Sequence, residues 1–169
     1  NKFDFSKYEV MIALDVSEIK RFGIKEKINF KGTVINIDHH EFSNFGDIKL
    51  VDTKAGSVCT ILYYLFKDWG IKLSNNLLNK ILAGILADTD FFHFSVYSSS
   101  FIFHTVAEII DNGADYEKVL FDVDQSRDLA VYKFWAESVM LAEVDEEYRF
   151  AYAVIPAEIY KKYEKYAIS

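Results

Sequence analysis

The chain has 169 residues, 51% of them hydrophobic and 17% aromatic, with a single proline. This is the composition of a chain with a real core and excludes intrinsic disorder. Nineteen basic against 26 acidic residues leave a net charge of −7, which argues against long duplex nucleic acid as a partner because affinity there comes from neutralising many phosphates.

The chain opens on Asn1 rather than methionine, and a strand-like run follows almost at once, so residues upstream are expected to be missing from this fragment. Residues 9–15 (EVMIALD) form an apolar run ending on an aspartate and read as a buried strand. Residues 17–22 suit about one helical turn, with Gly23 as the stop. Residues 33–38 (TVINID) are a second strand rich in β-branched side chains, and residues 47–51 (DIKLV) a weaker third.

From Ser57 the period changes. Val58, Ile61, Leu62, Leu65, Phe66 and Trp69 recur at helical spacing, and Gly70 stands where a helix terminates. The longest apolar run, residues 58–66, is broken by Thr60 and is far shorter than the roughly 20 residues of a membrane helix, so no span is expected. Cys59 lies inside that run and reads as a small core residue rather than a nucleophile; as the only cysteine, it fits a reducing, cytoplasmic setting. A second helix runs from the cap Ser74 through Ile85, a third over residues 101–112 closed by Gly113, a short fourth over 116–121 and a fifth over 128–141. His104 reads as an ordinary residue of the third. Residues 148–155 alternate like a strand, Pro156 suits a helix N1 position, and residues 157–166 are helical with lysines late. Strands mixed with helices, without early hairpin signals, predict an α/β fold: a mainly parallel sheet flanked by helices, with the boundary of a second α/β unit in the polar stretch 122–128.

Three aspartates share one setting. Asp15 closes the first strand, Asp38-His39-His40 closes the second, and Asp88 ends the apolar segment 81–87. In a parallel sheet, strand ends of one polarity line a common crevice, so these carboxylates and imidazoles can converge. Mixed oxygen and nitrogen donors suit a divalent ion such as Mn²⁺, Mg²⁺, Zn²⁺ or Co²⁺, and the absence of a nearby thiolate argues against a structural zinc site. A lone aspartate at a strand end is usually a cap or turn residue, and paired histidines in a loop are usually solvated. The conjunction of all three places favours a site.

The segments IALDVSEIKRFG, VINIDHHEFSNFGDIKLVD and AGILADTDFFHFS resemble successive motifs of the DHH phosphoesterase superfamily, nearest the nanoRNA and pAp phosphatases known as bifunctional oligoribonucleases. The resemblance covers roughly residues 8–124, in order. It implies a DHH domain over residues 1–124, a linker helix over 125–143 and the start of a C-terminal substrate-binding domain over 144–169. It also implies that Asp15, His39 and Asp88 are metal ligands, Asp15 bridging two ions. His40 would face the substrate phosphate as a catalytic group, with Asp38 orienting the histidines. The implied cofactor is a divalent pair, two Mn²⁺ first, with Mg²⁺ or Co²⁺ as alternatives. The implied activity is hydrolysis of phosphoesters in short nucleotides, nanoRNA or 3′-phosphoadenosine nucleotides, by a metal-activated hydroxide. A second copy of the chain is a further candidate partner.

Three departures from the family pattern stand out. The opening motif, a histidine and two spaced aspartates, is expected upstream of Asn1, so the fragment alone should be inactive. Where relatives commonly show Asp-Thr-Gly followed by an aromatic and arginine, this chain has Asp88-Thr89-Asp90-Phe91-Phe92-His93, which makes Asp90 and His93 candidate substrate-binding residues. Phe91, Phe92 and Phe94 stand beside them as candidates for base stacking. The glycine-rich motif of the C-terminal domain does not occur downstream. The alternatives are a degenerate nucleotide-binding or regulatory protein, or a relative acting on cyclic dinucleotide, pyrophosphate or polyphosphate. A phosphoacceptor receiver with Asp15 as acceptor is weaker, since it leaves the Asp-His-His segment without a purpose.

Overall fold

Three apolar runs joined by short links make one parallel sheet. Strands β1 (Val10–Leu14), β2 (Thr33–Asp38) and β3 (Ile48–Val51) lie in the order β1-β2-β3, with β2 in the centre. The computed structural model describes residues 4–22, 30–94, 99–125 and 127–166, so the stop expected at Gly23 lies outside the described residues. The register pairs Ile12 with Ile35 and Ile35 with Ile48, then Leu14 with Ile37 and Ile37 with Leu50. The carboxyl ends of β1 and β2 therefore emerge side by side, and the Asp15 N–H continues the ladder by donating to the Ile37 carbonyl at 3.0 Å.

The first strand differs from expectation in its burial. Side chains alternate across a strand, and the face carrying Ala13, Asn36 and Asp38 is buried, while Val10, Ile12 and Leu14 on the opposite face remain about half exposed. The reason is topological. Among the described residues, neither strand link contains an α-helix; β1 to β2 carries only a 3₁₀ turn (Ile19–Phe22), and β2 to β3 is spanned by residues 39–47. That second link is shorter than the dozen or so residues usual for a parallel crossover.

The helices follow β3. Helix α1 (Val58–Asp68) starts at Ser57, whose hydroxyl accepts from the Thr60 N–H. It ends in a Schellman turn: Gly70, at φ +66°, donates to the Lys67 carbonyl, and Ile71 donates to that of Phe66. Helix α2 (Asn75–Asp88) is capped by Ser74 and buries Leu78, Ile81, Leu82, Ile85 and Leu86. It packs against α1, α3 (Ser100–Asp111) and α4 (Tyr116–Leu120), while α1 lies against β2. At Gly84 the helices approach so closely that a Cβ would collide with the Cys59 sulfur. The architecture is α/β, a parallel three-stranded sheet flanked by helices. No helix among the described residues is long and apolar enough to cross a membrane.

The chain divides into two units, Asn1–Leu120 and Phe121–Ser169. The second opens with a π-helical turn (Phe121–Gln125) that overlaps the polar stretch 122–128, where the boundary is expected. Helix α5 (Leu129–Met140) follows, with Asp128 capping it through the Ala130 N–H. Strands β4 (Ala142–Asp145) and β5 (Phe150–Ala153) form an antiparallel hairpin, and α6 (Ala157–Tyr163) packs on α5, with Pro156 at the N-cap rather than N1. The expected strand over 148–155 is shorter than predicted because Tyr148 and Arg149 belong to the turn. Arg149 has φ +56°, and the Tyr148 N–H is held by the Asp145 carboxylate.

Candidate metal centre

Asp15, Asp38, His39 and His40 meet at the carboxyl edge of the sheet. One potential ligand atom from each lies within 4.8 Å of those of the others. Asp15 follows β1 in a left-handed conformation, φ +60°, which aspartate tolerates better than most residues. Its Oδ1 is 3.5 Å from His39 Nε2 and 3.6 Å from His40 Nδ1. The imidazoles are tilted against each other with centroids 4.5 Å apart.

Asp38 organises the pair. It is fully buried at the end of β2, and its Oδ1 accepts from the backbone N–H groups of His39 (2.8 Å) and His40 (3.3 Å). The same oxygen lies 2.7 Å from His40 Nδ1. A carboxylate at that distance favours the tautomer with hydrogen on Nδ1, leaving His40 Nε2 as the outer nitrogen. Burial raises the Asp38 pKa, but the His40 ring and hydroxyl of Ser43, with the backbone donors of His40 and His39, outweigh it and hold the carboxyl below its ordinary value. The loop is further fixed by Asn36, whose Nδ2 donates to Ser43 Oγ at 2.7 Å.

The donor set fits a divalent cation. Asp38 Oδ2 is buried and makes no hydrogen bond among the described residues, a costly state for a carboxylate oxygen unless a cation satisfies it. The sequence reading placed Asp38 behind the histidines. Its Oδ1 has that position, and Asp38 also offers one of the clustered carboxylate oxygens.

Asp88 is the last residue of α2, not a strand end, and is not one of the four clustered residues. It is nonetheless within electrostatic reach: burial, then the charge of Asp15, push its pKa up, with His39 and His40 opposing. Asp90 and His93 engage each other instead. His93 Nδ1 lies 2.6 Å from the Asp90 carbonyl and 3.7 Å from its carboxylate, and both side chains are largely exposed. Asp90, Phe91 and Phe92 all have positive φ, +46°, +53° and +67°. The Phe92 ring packs on Phe103 at 4.8 Å.

Beside the histidines opens a cavity of about 540 Å³. Ser17, Glu18, Arg21, Glu41, Phe42 and Thr53 line it with His39 and His40. Arg21 and Phe42 escaped the sequence reading. The available signal was their placement: Arg21 on the turn after Asp15, and Phe42 two residues beyond His40.

No protein-family profile matches the chain. It is 26% identical over 161 residues to an uncharacterized protein of Mycoplasma genitalium, covering 95% of this chain and 48% of that protein. It is 29% identical over 119 residues to the probable bifunctional oligoribonuclease and PAP phosphatase NrnA of Streptococcus mutans, covering 69% of this chain and 38% of the relative. The NrnA of Bacillus subtilis is 40% identical over 65 residues, 36% of this chain and 21% of the relative. The crystal structure of an exopolyphosphatase-related protein from Bacteroides fragilis superposes with a TM-score of 0.85 at 20% identity, over 95% of this chain and 48% of that one, which establishes the fold. The chain spans about half the length of the first relatives it matches.

Proposed function

We propose that this chain carries the metal-binding half of a DHH-type phosphohydrolase acting on phosphoesters of short nucleotides, oligoribonucleotides or 3′-phosphorylated adenosine nucleotides. The observation that carries the reading is the cluster of Asp15, Asp38, His39 and His40, whose ligand atoms lie within 4.8 Å of one another. The likeness to the NrnA proteins, whose names specify oligoribonuclease and PAP phosphatase activity, supports the substrate class.

Asp15, His39 and Asp88 would hold a divalent metal pair, Mn²⁺ in the first instance, with Asp38 as a further donor. When bound, the metal supplies the positive charge and activated water that phosphoester hydrolysis needs. The chain's own residues do the rest. Asp38 fixes the His40 ring, and His40, which lines the cavity, would donate a proton to the leaving oxygen. Cys59 takes no part as a nucleophile: burial and the charges of Asp88 and Asp15 push its thiol up to about 11.

The test is Mn²⁺-dependent phosphate release by the intact protein, together with thermal unfolding. We expect His39→Ala and Asp88→Asn each to lower the rate about a hundredfold or more. Mn²⁺ at a hundred times its Kd should add about 2.7 kcal/mol to the stability of the wild type, raising its melting temperature, and a smaller rise should occur in His39→Ala. Unchanged activity and an unchanged metal response in both variants would sink the assignment.

A further inference from the structure

The cavity beside His39 and His40 has two features that coordination of a metal does not require. Among the described residues, Arg21 is its one basic lining residue apart from the histidines. Among the described residues, no ion pair engages its guanidinium, and its recorded hydrogen bond is a long one, Nη1 to Ser17 Oγ at 3.4 Å. Its neighbour Lys20, by contrast, is paired with Glu18, one of the two acids lining the cavity, at 2.5 Å. A guanidinium offers five donors in a planar fork that matches a phosphate, and most of that fork stands available. Phe42 is the second feature: its ring is 83% exposed. A phenylalanine left almost bare against the cavity gains little in folding, whereas a flat aromatic ring is a stacking partner for any nucleobase.

We propose that Arg21 and Phe42 position a nucleotide carrying a second phosphate besides the one that reacts. The guanidinium receives the non-reacting phosphate and the Phe42 ring stacks on the base, while the reacting phosphate lies toward Asp15 and the histidines. The proposal rests on the phosphohydrolase reading of that neighbouring cluster and adds the two residues that tell a nucleotide from a simple phosphoester. With Glu41 also lining the cavity, bulk positive charge cannot recruit the ligand; recognition comes from directed hydrogen bonds and stacking.

The experiment uses the intact protein: wild type, Arg21→Met, Arg21→Lys, Phe42→Ala and the remote charge control Lys72→Met. Rates with Mn²⁺ are compared on adenosine 3′,5′-bisphosphate and on p-nitrophenyl phosphate, which has neither base nor second phosphate. Binding of 5′-AMP, which keeps the base and the 5′-phosphate, is measured by calorimetry. In Arg21→Met, the ratio of kcat/KM for the bisphosphate over p-nitrophenyl phosphate should fall about tenfold or more, and 5′-AMP binding should weaken similarly. Arg21→Lys should recover part of both, and Phe42→Ala should lower both several-fold. Lys72→Met should leave both as in the wild type. Changes under threefold in both quantities for Arg21→Met and Phe42→Ala would overturn the proposal. If the wild type hydrolyses neither substrate, the phosphohydrolase reading fails, yet the 5′-AMP titration still decides. Binding weakened by Arg21→Met keeps the nucleotide subsite, and insensitive or absent binding overturns it.

Discussion

Asp90 bears on the backbone before it bears on any chemistry. Helix α2 ends as α1 does, with the Asp90 N–H donating to the Ala87 carbonyl and the Phe91 N–H to that of Leu86. Gly70 holds the left-handed position after α1, but aspartate holds it after α2, at φ +46°. Its carboxylate also sits at the negative end of the helix dipole. Asp90→Gly should therefore stabilise the protein by about 0.5–1 kcal/mol, read as a higher urea midpoint with an unchanged slope. Cys59 offers a second check. Its thiol is shifted from an ordinary 9.0 to about 11, so the folded state disfavours the thiolate that the unfolded state forms readily. The stability contribution is fully present below pH 9 and is lost as the pH rises toward 11. At pH 8, a thiol reagent should modify native Cys59 about a hundredfold more slowly than the urea-unfolded chain, from the thiolate fraction alone.

Among the elements, the contact of α1 with α2 is the tightest constraint. An alanine in a helix interior is ordinarily favoured over glycine by about 1 kcal/mol, but at position 84 its methyl would meet the Cys59 sulfur. Gly84→Ala should therefore destabilise, by about 1–3 kcal/mol. Placing it in a Cys59→Ala background should recover most of that loss, and a double-mutant cycle in urea measures the coupling. These elements were largely legible in the sequence because their signals are local. Strand β2 follows from the β-branched run TVINID, and Ser57, Ser74 and Asp128 all cap the helices they precede. The misses are tertiary. Strand β4 (AEVD) has little strand propensity of its own and forms by pairing with β5. The exposure of Val10, Ile12 and Leu14 depends on which side of the sheet the helices cover, which no apolar run encodes. In the site, Asp-His-His was legible as a motif, whereas Arg21 and Phe42 join it only through the cavity that the folded turns enclose.

At the scale of the whole molecule, the two units are unequally built. Helix α2 alone buries five large aliphatic side chains, whereas α5 buries only Val131 and α6 only Tyr163. Local stability follows buried apolar contact. Amide hydrogen exchange should therefore be at least about a hundredfold slower in α2 than in α5 and the β4–β5 hairpin; equal protection would show one cooperative unit. The short link between β2 and β3 has a consequence of another kind, in folding time. Residues 39–47 carry the histidine pair inside the loop whose closure costs least, while Asp15 must be reached across the longer β1–β2 link and Asp88 arrives only once α2 has docked. The β2–β3 pairing that frames the histidines and Asp38 is thus the strand contact with the smallest closure cost in the sheet. Asp88 closes α2, so a nascent chain cannot bring its carboxylate near Asp15 and the histidines until the two helices beyond the Asp-His-His segment have been made.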